Sequence, residues 1–242
     1  MQTHAATKII VIMNISWSTC PLLAEPYPAH RSWTIKNLAR LTLLMSLLWV
    51  SVLVQADPDA AAKYQSCAVC HGERGQGNIE LGAPALAGQG AQYLKRQLQY
   101  FKSGVRGSDP RDIQGLQMQA MAGALADEDI PVVAAYLSGL PPAVPTAVPK
   151  GDLKNGNNYY HSKCGACHGG QAQGNSGLNS PALAILNGIY LKQQFQSFQQ
   201  GLRGTHPDDK YGRQMKMMST SLPTDQDLDD VIAYIQSMAK PL

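Results

Sequence analysis

The segment CAVCHGERGQGN, residues 67–78, returns almost unchanged as CGACHGGQAQGN, residues 164–175. In both copies two cysteines are separated by two residues, and a histidine directly follows the second cysteine. The two copies hold all but one of the cysteines in the chain. One chain therefore carries two versions of a single cysteine–histidine site.

The histidine after the second cysteine decides the chemistry of this site. A Cys-x-x-Cys pair alone fits a disulfide or half of a zinc site, but Cys-x-x-Cys-His is the attachment motif for c-type haem. Zinc needs four ligands and each copy offers three nearby, and no strands of a thioredoxin-like sheet are readable. We expect two covalently bound haem c groups, one in each copy. The attachment cysteines are Cys67, Cys70, Cys164 and Cys167, and the iron-ligating histidines are His71 and His168.

The repeat extends well beyond the cysteine motifs. Adding 97 to a residue number in the first half gives the matching residue in the second half, until one extra residue enters after Leu222. This period is too long for a solenoid and indicates a duplicated small domain. Prolines make the connector fairly stiff. We expect a leader at residues 1–56, a first domain at 57–140, a proline-rich linker at 141–152 and a second domain at 153–242.

Apolar periodicity predicts an all-α fold, with about three short helices in each domain and long polar loops. Such domains hold little apolar material for their size, which favours a cofactor at the centre. The first helix of each copy, 59–66 or 155–163, leads into the cysteines. The apolar faces of the later helices contain Leu94, Leu98, Phe101 and Val105, then Ile130, Val133, Ala134 and Leu137, with second-copy equivalents Leu191, Phe195, Phe198 and Leu202, then Leu228, Val231, Ile232 and Ile235. Thr224 and Asp227 resemble a capping box.

Residues 1–56 have the layout of a secretory signal peptide. Lys36 and Arg40 precede a neutral, mostly apolar run at 41–54, and a small-residue cleavage pattern ends at Ala56. The apolar run is shorter than the roughly 20 residues of a spanning helix. An uncleaved membrane anchor is the alternative. Export places the protein in the periplasm.

Charge excludes a nucleic-acid binder, because the basic residues are scattered and the net charge is only +3. The halves differ in sign. Residues 57–149 contain 7 basic and 9 acidic residues, whereas residues 150–242 contain 9 basic and 7 acidic residues. This dipole predicts that the molecule orients between two partners.

Methionine is the candidate for the sixth iron ligand. Met118 and Met215 each lie 51 residues after the first cysteine of their copy, just ahead of the last helix. A methionine ligand raises the reduction potential of haem and closes the iron to other ligands. Met121 and Met218 repeat as well and compete for this role, and core packing is the other alternative.

Two further repeated pairs have open roles. Arg106 and Arg203 either meet a haem propionate or remain solvated, and Tyr93 and Tyr190 are expected in the core. The unrepeated His161 and His206 are expected at the surface.

Each half resembles a class I cytochrome c domain. The pair, with LAGQGAQYLKRQLQYFKSG in copy one and SLPTDQDLDDVIAYIQSM in copy two, resembles a dihaem cytochrome of the cytochrome c4 family. The resemblance implies two tandem cytochrome c-like domains wrapped around covalent haems, with Met118 and Met215 as axial ligands. It also implies that the carbonyls of Pro84 and Pro181 accept the proximal histidine N–H. LAGQG becomes LAILNG in copy two, a departure that touches no ligand.

Two closed haems predict outer-sphere electron transfer rather than catalysis. The resemblance implies a periplasmic shuttle, with possible loose membrane association, between quinol–cytochrome c oxidoreductase and a terminal oxidase. The alternatives are the dihaem subunit of a dehydrogenase, such as a sulfide-oxidising flavoprotein, and a peroxidase with an open haem ligand. The sequence does not predict an oligomeric state.

Overall fold

The structure is a computed structural model that describes residues 58–145 and 150–239. The predicted signal peptide lies outside these residues, and so does the middle of the predicted linker. Both cytochrome-like halves belong to one compact unit. The described residues form helices and loops, with two isolated β-bridges at equivalent places, Asn78 with Ala83 and Asn175 with Ser180.

The two halves contain the same series of helices. In the first half these are α1 (Pro58–His71), α2 (Ala91–Lys102), α3 (Ile113–Gly123) and α4 (Asp129–Gly139). In the second half they are α5 (Leu153–Tyr159), a π-helical turn (Tyr160–Cys164), α6 (Gly165–His168), α7 (Gly188–Gln199), α8 (Lys210–Met218) and α9 (Asp225–Ser237).

Two of the predicted helix boundaries are wrong. The first helix of each half does not end before the cysteines but continues to the motif histidine. Each half also contains a further helix, α3 or α8, that carries the candidate methionine ligands. The sequence of α3 has no charged residue and shows little contrast between its faces. In α8, Tyr211, Met215 and Met218 do recur at helical spacing, a pattern that the sequence interpretation missed. Aspartate N-caps begin both helices, since Asp112 and Asp209 accept the backbone N–H of Gly115 and Gly212.

The last helix of each half carries the predicted apolar face and supplies most of the buried residues in the two core clusters. Ile130, Val133, Ala134 and Leu137 are all buried in α4, and the equivalent four residues of α9 are buried too. The capping box at Thr224 and Asp227 is confirmed in both directions. Packing of these apolar faces fixes the last helix against the helix that carries the cysteines.

The π-helical turn of the second half absorbs one inserted residue. Two residues lie between Tyr64 and Cys67, whereas three lie between Tyr160 and Cys164. Both tyrosines are nonetheless fully buried, and each packs against the tyrosine of the last helix, with ring centroids 5.9 Å apart for Tyr136 and 5.8 Å for Tyr234. A π-bulge widens one turn without breaking a helix, so the residues on both sides keep their places.

Candidate haem sites

Each Cys-x-x-Cys-His motif lies at the carboxyl end of a helix. Residues three and four apart share one helix face, so Cys67, Cys70 and His71 project from the same side of α1. In the second half, Cys164 ends the π-helical turn, and α6 carries Cys167 and His168. The four described cysteines form no disulfides with one another. Both motifs therefore present two free thiols and one imidazole together.

A backbone carbonyl orients each motif histidine. His71 Nδ1 lies 2.9 Å from the Pro84 carbonyl oxygen, and His168 Nδ1 lies 3.0 Å from that of Pro181. The expected hydrogen bonds are thus confirmed in both halves. A carbonyl only accepts, so Nδ1 carries the proton and Nε2 keeps its lone pair. Burial lowers the pKa of both histidines, which keeps the imidazoles neutral and ready to bind a metal.

The loop after each motif is folded tightly enough to bring this carbonyl to the histidine. Gly77 and Gly174 have φ values of +82° and +83°. A Cβ on either residue would lie 2.6 Å from the Ala85 nitrogen or 2.7 Å from the Ala182 nitrogen. Both glycines also donate a backbone hydrogen bond of 2.8 Å to the motif histidine. Only glycine fits a left-handed conformation this close to another backbone segment.

A buried tyrosine fixes the other end of this loop. The Tyr64 hydroxyl donates to the Gly72 carbonyl at 2.7 Å, and the Tyr160 hydroxyl donates to the Gly169 carbonyl at 2.6 Å. Burial raises the pKa of both phenols, so they remain donors. Sequence comparison missed this pair because the inserted residue changes the offset from 97 to 96. The sequence signal for this pair is a tyrosine one helical turn before the first cysteine of each motif.

The two cysteines of each motif differ in environment. Cys67 and Cys164 are partly buried, whereas Cys70 and Cys167 are exposed. Burial raises the pKa of Cys67, and it raises the pKa of Cys164 to about 11. Each half thus presents one sheltered thiol beside the core and one accessible thiol at the surface.

The candidate methionines occupy equivalent places on equivalent helices. Met118 lies on α3 and Met215 on α8, and both are half-buried. The competing Met121 and Met218 are exposed to 47% and 38%. In each half the structure thus shelters the favoured methionine and exposes its competitor.

The repeated arginines lie between the two halves and are not solvated. Arg106 donates to Gln97 at 2.6 Å within its own half and to Gln194 at 2.9 Å across the interface. Arg203 makes the equivalent bonds: it donates to Gln194 of its own half at 2.5 Å and to Gln97 of the other half at 3.3 Å. Tyr190, expected in the core, instead joins this network through its hydroxyl, 3.3 Å from Arg106.

These arginines retain unused hydrogen-bonding capacity. Both are buried and stacked on phenylalanine rings, Phe101 and Phe198, each at 4.4 Å. Among the described residues, neither guanidinium forms an ion pair and neither Nε atom has a hydrogen-bond partner. Buried cations need compensating charge. A porphyrin with propionate groups supplies such carboxylates, so the polar network fits haem as well as the cysteine motifs do.

Further bonds between the two halves have no repeated counterpart. Arg96 donates to the side chain and the carbonyl of Asn179 at 3.0 and 2.7 Å, and Asn179 donates to the Tyr211 hydroxyl at 2.8 Å. Gln89, in the LAGQG segment that departs from the repeat, bonds both backbone groups of Ala182. The segment that departs from the repeat in the first half therefore supplies a side chain that bonds the second half.

Comparison with known proteins agrees with this geometry. The family model described as cytochrome c matches residues 59–141 and 153–239. A cytochrome c4 of Azotobacter vinelandii is 30% identical over 84% of this chain and 99% of that protein. A thiosulfate dehydrogenase electron acceptor of Stutzerimonas stutzeri is 30% identical over 86% of this chain and 95% of that protein. The crystal structure of reduced cytochrome c4 from Pseudomonas stutzeri superposes with a TM-score of 0.59, at 28% identity, over 73% of this chain and 95% of that chain.

The chain therefore belongs to the cytochrome c family, as a member with two tandem cytochrome c domains and two covalently attached haem c groups. Within that family it is a dihaem electron carrier of the cytochrome c4 type. Among the described residues, no helix is long and apolar enough to cross a membrane.

Proposed function

We propose that both irons have histidine and methionine as axial ligands. His71 and His168 would bind through Nε2, because Nδ1 is occupied by the proline carbonyls. Met118 and Met215 would bind from the opposite face. Their lower exposure compared with Met121 and Met218 supports this choice. Cys67, Cys70, Cys164 and Cys167 would form the thioether links.

When bound, haem c supplies a reversible one-electron iron couple. The residues of this chain fix the orientation of the histidine ligand and the loop beside it. The proline carbonyl and the tight glycine loop keep the imidazole in one orientation, and the tyrosine–glycine bond fixes the loop. Methionine ligation raises the potential and leaves no position for substrate. The two buried arginines lie between the halves, where each donates hydrogen bonds to glutamines of both halves. Their positive charge favours negative groups at this interface.

We propose that the protein shuttles electrons one at a time in the periplasm, from a quinol–cytochrome c oxidoreductase to a terminal oxidase. Residues 1–56 would direct export, residues 57–140 and 153–242 would form the two electron-carrying domains, and residues 141–152 would connect them. The observation that carries this proposal is the matched histidine–proline geometry in both halves, since two equally built haem sites suit relay rather than catalysis.

A second candidate is electron acceptor for a periplasmic dehydrogenase. It is favoured by relatives named thiosulfate dehydrogenase electron acceptor, one of them from Thiomonas intermedia at 32% identity over 74% of this chain. A dehydrogenase that oxidises a sulfur compound would then reduce the chain directly. A sulfide-oxidising flavoprotein belongs to the same class of donor.

Purified donors distinguish the two candidates. The oxidised holoprotein would be mixed with the quinol–cytochrome c oxidoreductase of its host and a quinol, or with thiosulfate dehydrogenase and thiosulfate. Fast haem reduction by the first donor and slow reduction by the second supports the shuttle. The reverse ratio supports the dehydrogenase partner and overturns the shuttle.

A further inference from the structure

The two helices that carry the candidate methionine ligands differ sharply in charge. Helix α3, IQGLQMQAMAG, contains no charged residue. Helix α8, KYGRQMKMM, contains three cations and no anion. With the repeat offset of 97, Lys210 takes the place of Ile113, Arg213 that of Leu116, and Lys216 that of Gln119. The duplication has therefore produced one neutral and one cationic version of the same helix.

The cations of α8 are available at the surface. Lys210 and Arg213 are exposed and Lys216 is half-buried. Among the described residues no ion pair involves any of the three. Arg213 donates to the carbonyls of His206 and Pro207, which are neutral acceptors. One exposed carboxylate, Asp208, lies just before the helix, so the positive charge of the helix is only partly offset.

An apolar side chain lies among these cations. Met217 is 68% exposed, whereas its equivalent in α3 is Ala120. On a helix, residues 213 and 217 share one face, and both lie roughly opposite Met215, since two residues correspond to about 200° of rotation. The solvent face of α8 thus combines a thioether with cations, on the helix whose opposite face carries the candidate ligand. We call Lys210, Arg213, Lys216 and Met217 the α8 patch.

We propose that the α8 patch is the docking surface for a redox protein whose own redox centre is ringed by carboxylates. Charge complementarity argues for this occupant, because unpaired exposed cations steer an acidic surface at long range. Electron-transfer encounters use small interfaces, and three cations around one apolar contact suit that scale. The neutral α3 offers no such steering, so the acidic partner meets the second half. This inference rests on the proposed electron-carrier function.

The test uses a holoprotein carrying Lys210→Gln and Lys216→Gln. Stopped-flow kinetics would follow its reduction by reduced flavodoxin, a small acidic flavoprotein used as the probe. The variant should react about tenfold more slowly than the unmodified protein at low ionic strength, and its rate should depend less on salt. The matched control is Lys150→Gln with Lys154→Gln, which removes the same charge from exposed positions of the same half. The control should change the rate by less than about twofold.

A transplant variant sharpens the test. Ile113→Lys with Gln119→Lys gives α3 two of the cations of α8, and it should raise the flavodoxin rate. Equal slowing in the α8 variant and its control would overturn the proposal, because the effect would then follow net charge alone. Reduction by a small uncharged quinol, together with two haems per chain, reports separately on the electron-carrier function. Loss of either in the unmodified protein would defeat the proposed function rather than the docking surface.

Discussion

The two halves use different chemistry to hold the same helix crossing. In the first half Lys63 of α1 bonds Asp129 of α4 at 2.8 Å and Asp59 of its own helix at 2.6 Å. In the second half Asn155 of α5 donates to Asp230 of α9 at 2.8 Å and to Asp227 at 3.0 Å. An ion pair in the first half thus corresponds to an amide–carboxylate network in the second half. The comparison shows that the same helix crossing can be secured by two different sets of contacts.

The crossings also differ in how closely the helices approach. With the offset of 96 that holds before the π-helical turn, Ala60 corresponds to Gly156. Ala60 is buried, and a Cβ on Gly156 would overlap the carbonyl oxygen of Asp230. The second half therefore tolerates no side chain at its crossing, which explains a glycine within a short helix.

The largest effect is expected from Gly156→Ala. Alanine favours a helix over glycine by about 1 kcal/mol, but the new methyl group would press on the α9 backbone. Overpacking typically costs about 1–3 kcal/mol, and the upper end applies here because the obstructing atom belongs to the backbone. After subtraction of the helix gain, we expect a net loss of about 2 kcal/mol in the free energy of unfolding of the second half. Guanidinium denaturation followed by circular dichroism measures it. The matched variant Ala60→Gly should cost only about 1 kcal/mol; stabilisation by Gly156→Ala would refute the close crossing.

A smaller loss is expected from Asn155→Ala. This change removes the Asn155 side-chain amide that donates to the carboxylate of Asp230. The Gln226 side-chain amide and the Asp152 backbone N–H still donate to that carboxylate. We expect the free energy of unfolding to fall by about 1.5 kcal/mol, the lower end of the usual cost of a lost bond to a charged group, because two donors remain. The same denaturation experiment measures it, with Asn157→Ala on the same helix as control. An equal loss in both variants would show that the network contributes nothing specific.

Acid should weaken the helix crossing of the second half. The Asn155 amide lowers the pKa of Asp230, and the Thr224 hydroxyl lowers that of Asp227. A carboxylate with a lowered folded pKa contributes stability above its unfolded pKa of about 3.9, and this contribution is lost as pH falls through the folded value. We expect the midpoint of denaturation of the second half to drop from pH 5 to pH 3, with a smaller drop in Asn155→Ala. A drop of the same size in that variant would contradict the assignment.

The smallest effect is expected from Lys63→Gln in the first half. Its carboxylate partners raise the pKa of Lys63, so its contribution is complete below the unfolded pKa and is lost only in strong alkali. Salt screens such pairs. We expect a loss smaller than that of Asn155→Ala, disappearing in about 1 M sodium chloride. A salt-independent loss would show that the lysine acts through packing.

The sequence was sufficient for the features that repeat as residue types. The haem motifs follow from residues that recur at an offset of 97, and the last-helix core follows from residues that recur at an offset of 98. The histidine–proline bonds follow from the resemblance to the cytochrome c4 family. Helix α3 escaped prediction because its faces differ little in polarity. Helix α8 escaped although Tyr211, Met215 and Met218 recur at helical spacing. Tyr64 and Tyr160 escaped because a π-helical turn hides an insertion. The shared arginine–glutamine network depends on how the halves meet, which no local pattern in either half contains.

The most direct test of the account is near-infrared magnetic circular dichroism of the oxidised holoprotein, scaled to haem per chain. The account predicts that both haems show the charge-transfer band of histidine–methionine ligation, and that Met118→Ala and Met215→Ala each remove half of it while Met121→Ala and Met218→Ala leave it intact. A band from one haem only, or one lost in the Met121 and Met218 variants instead, would contradict the proposed ligands.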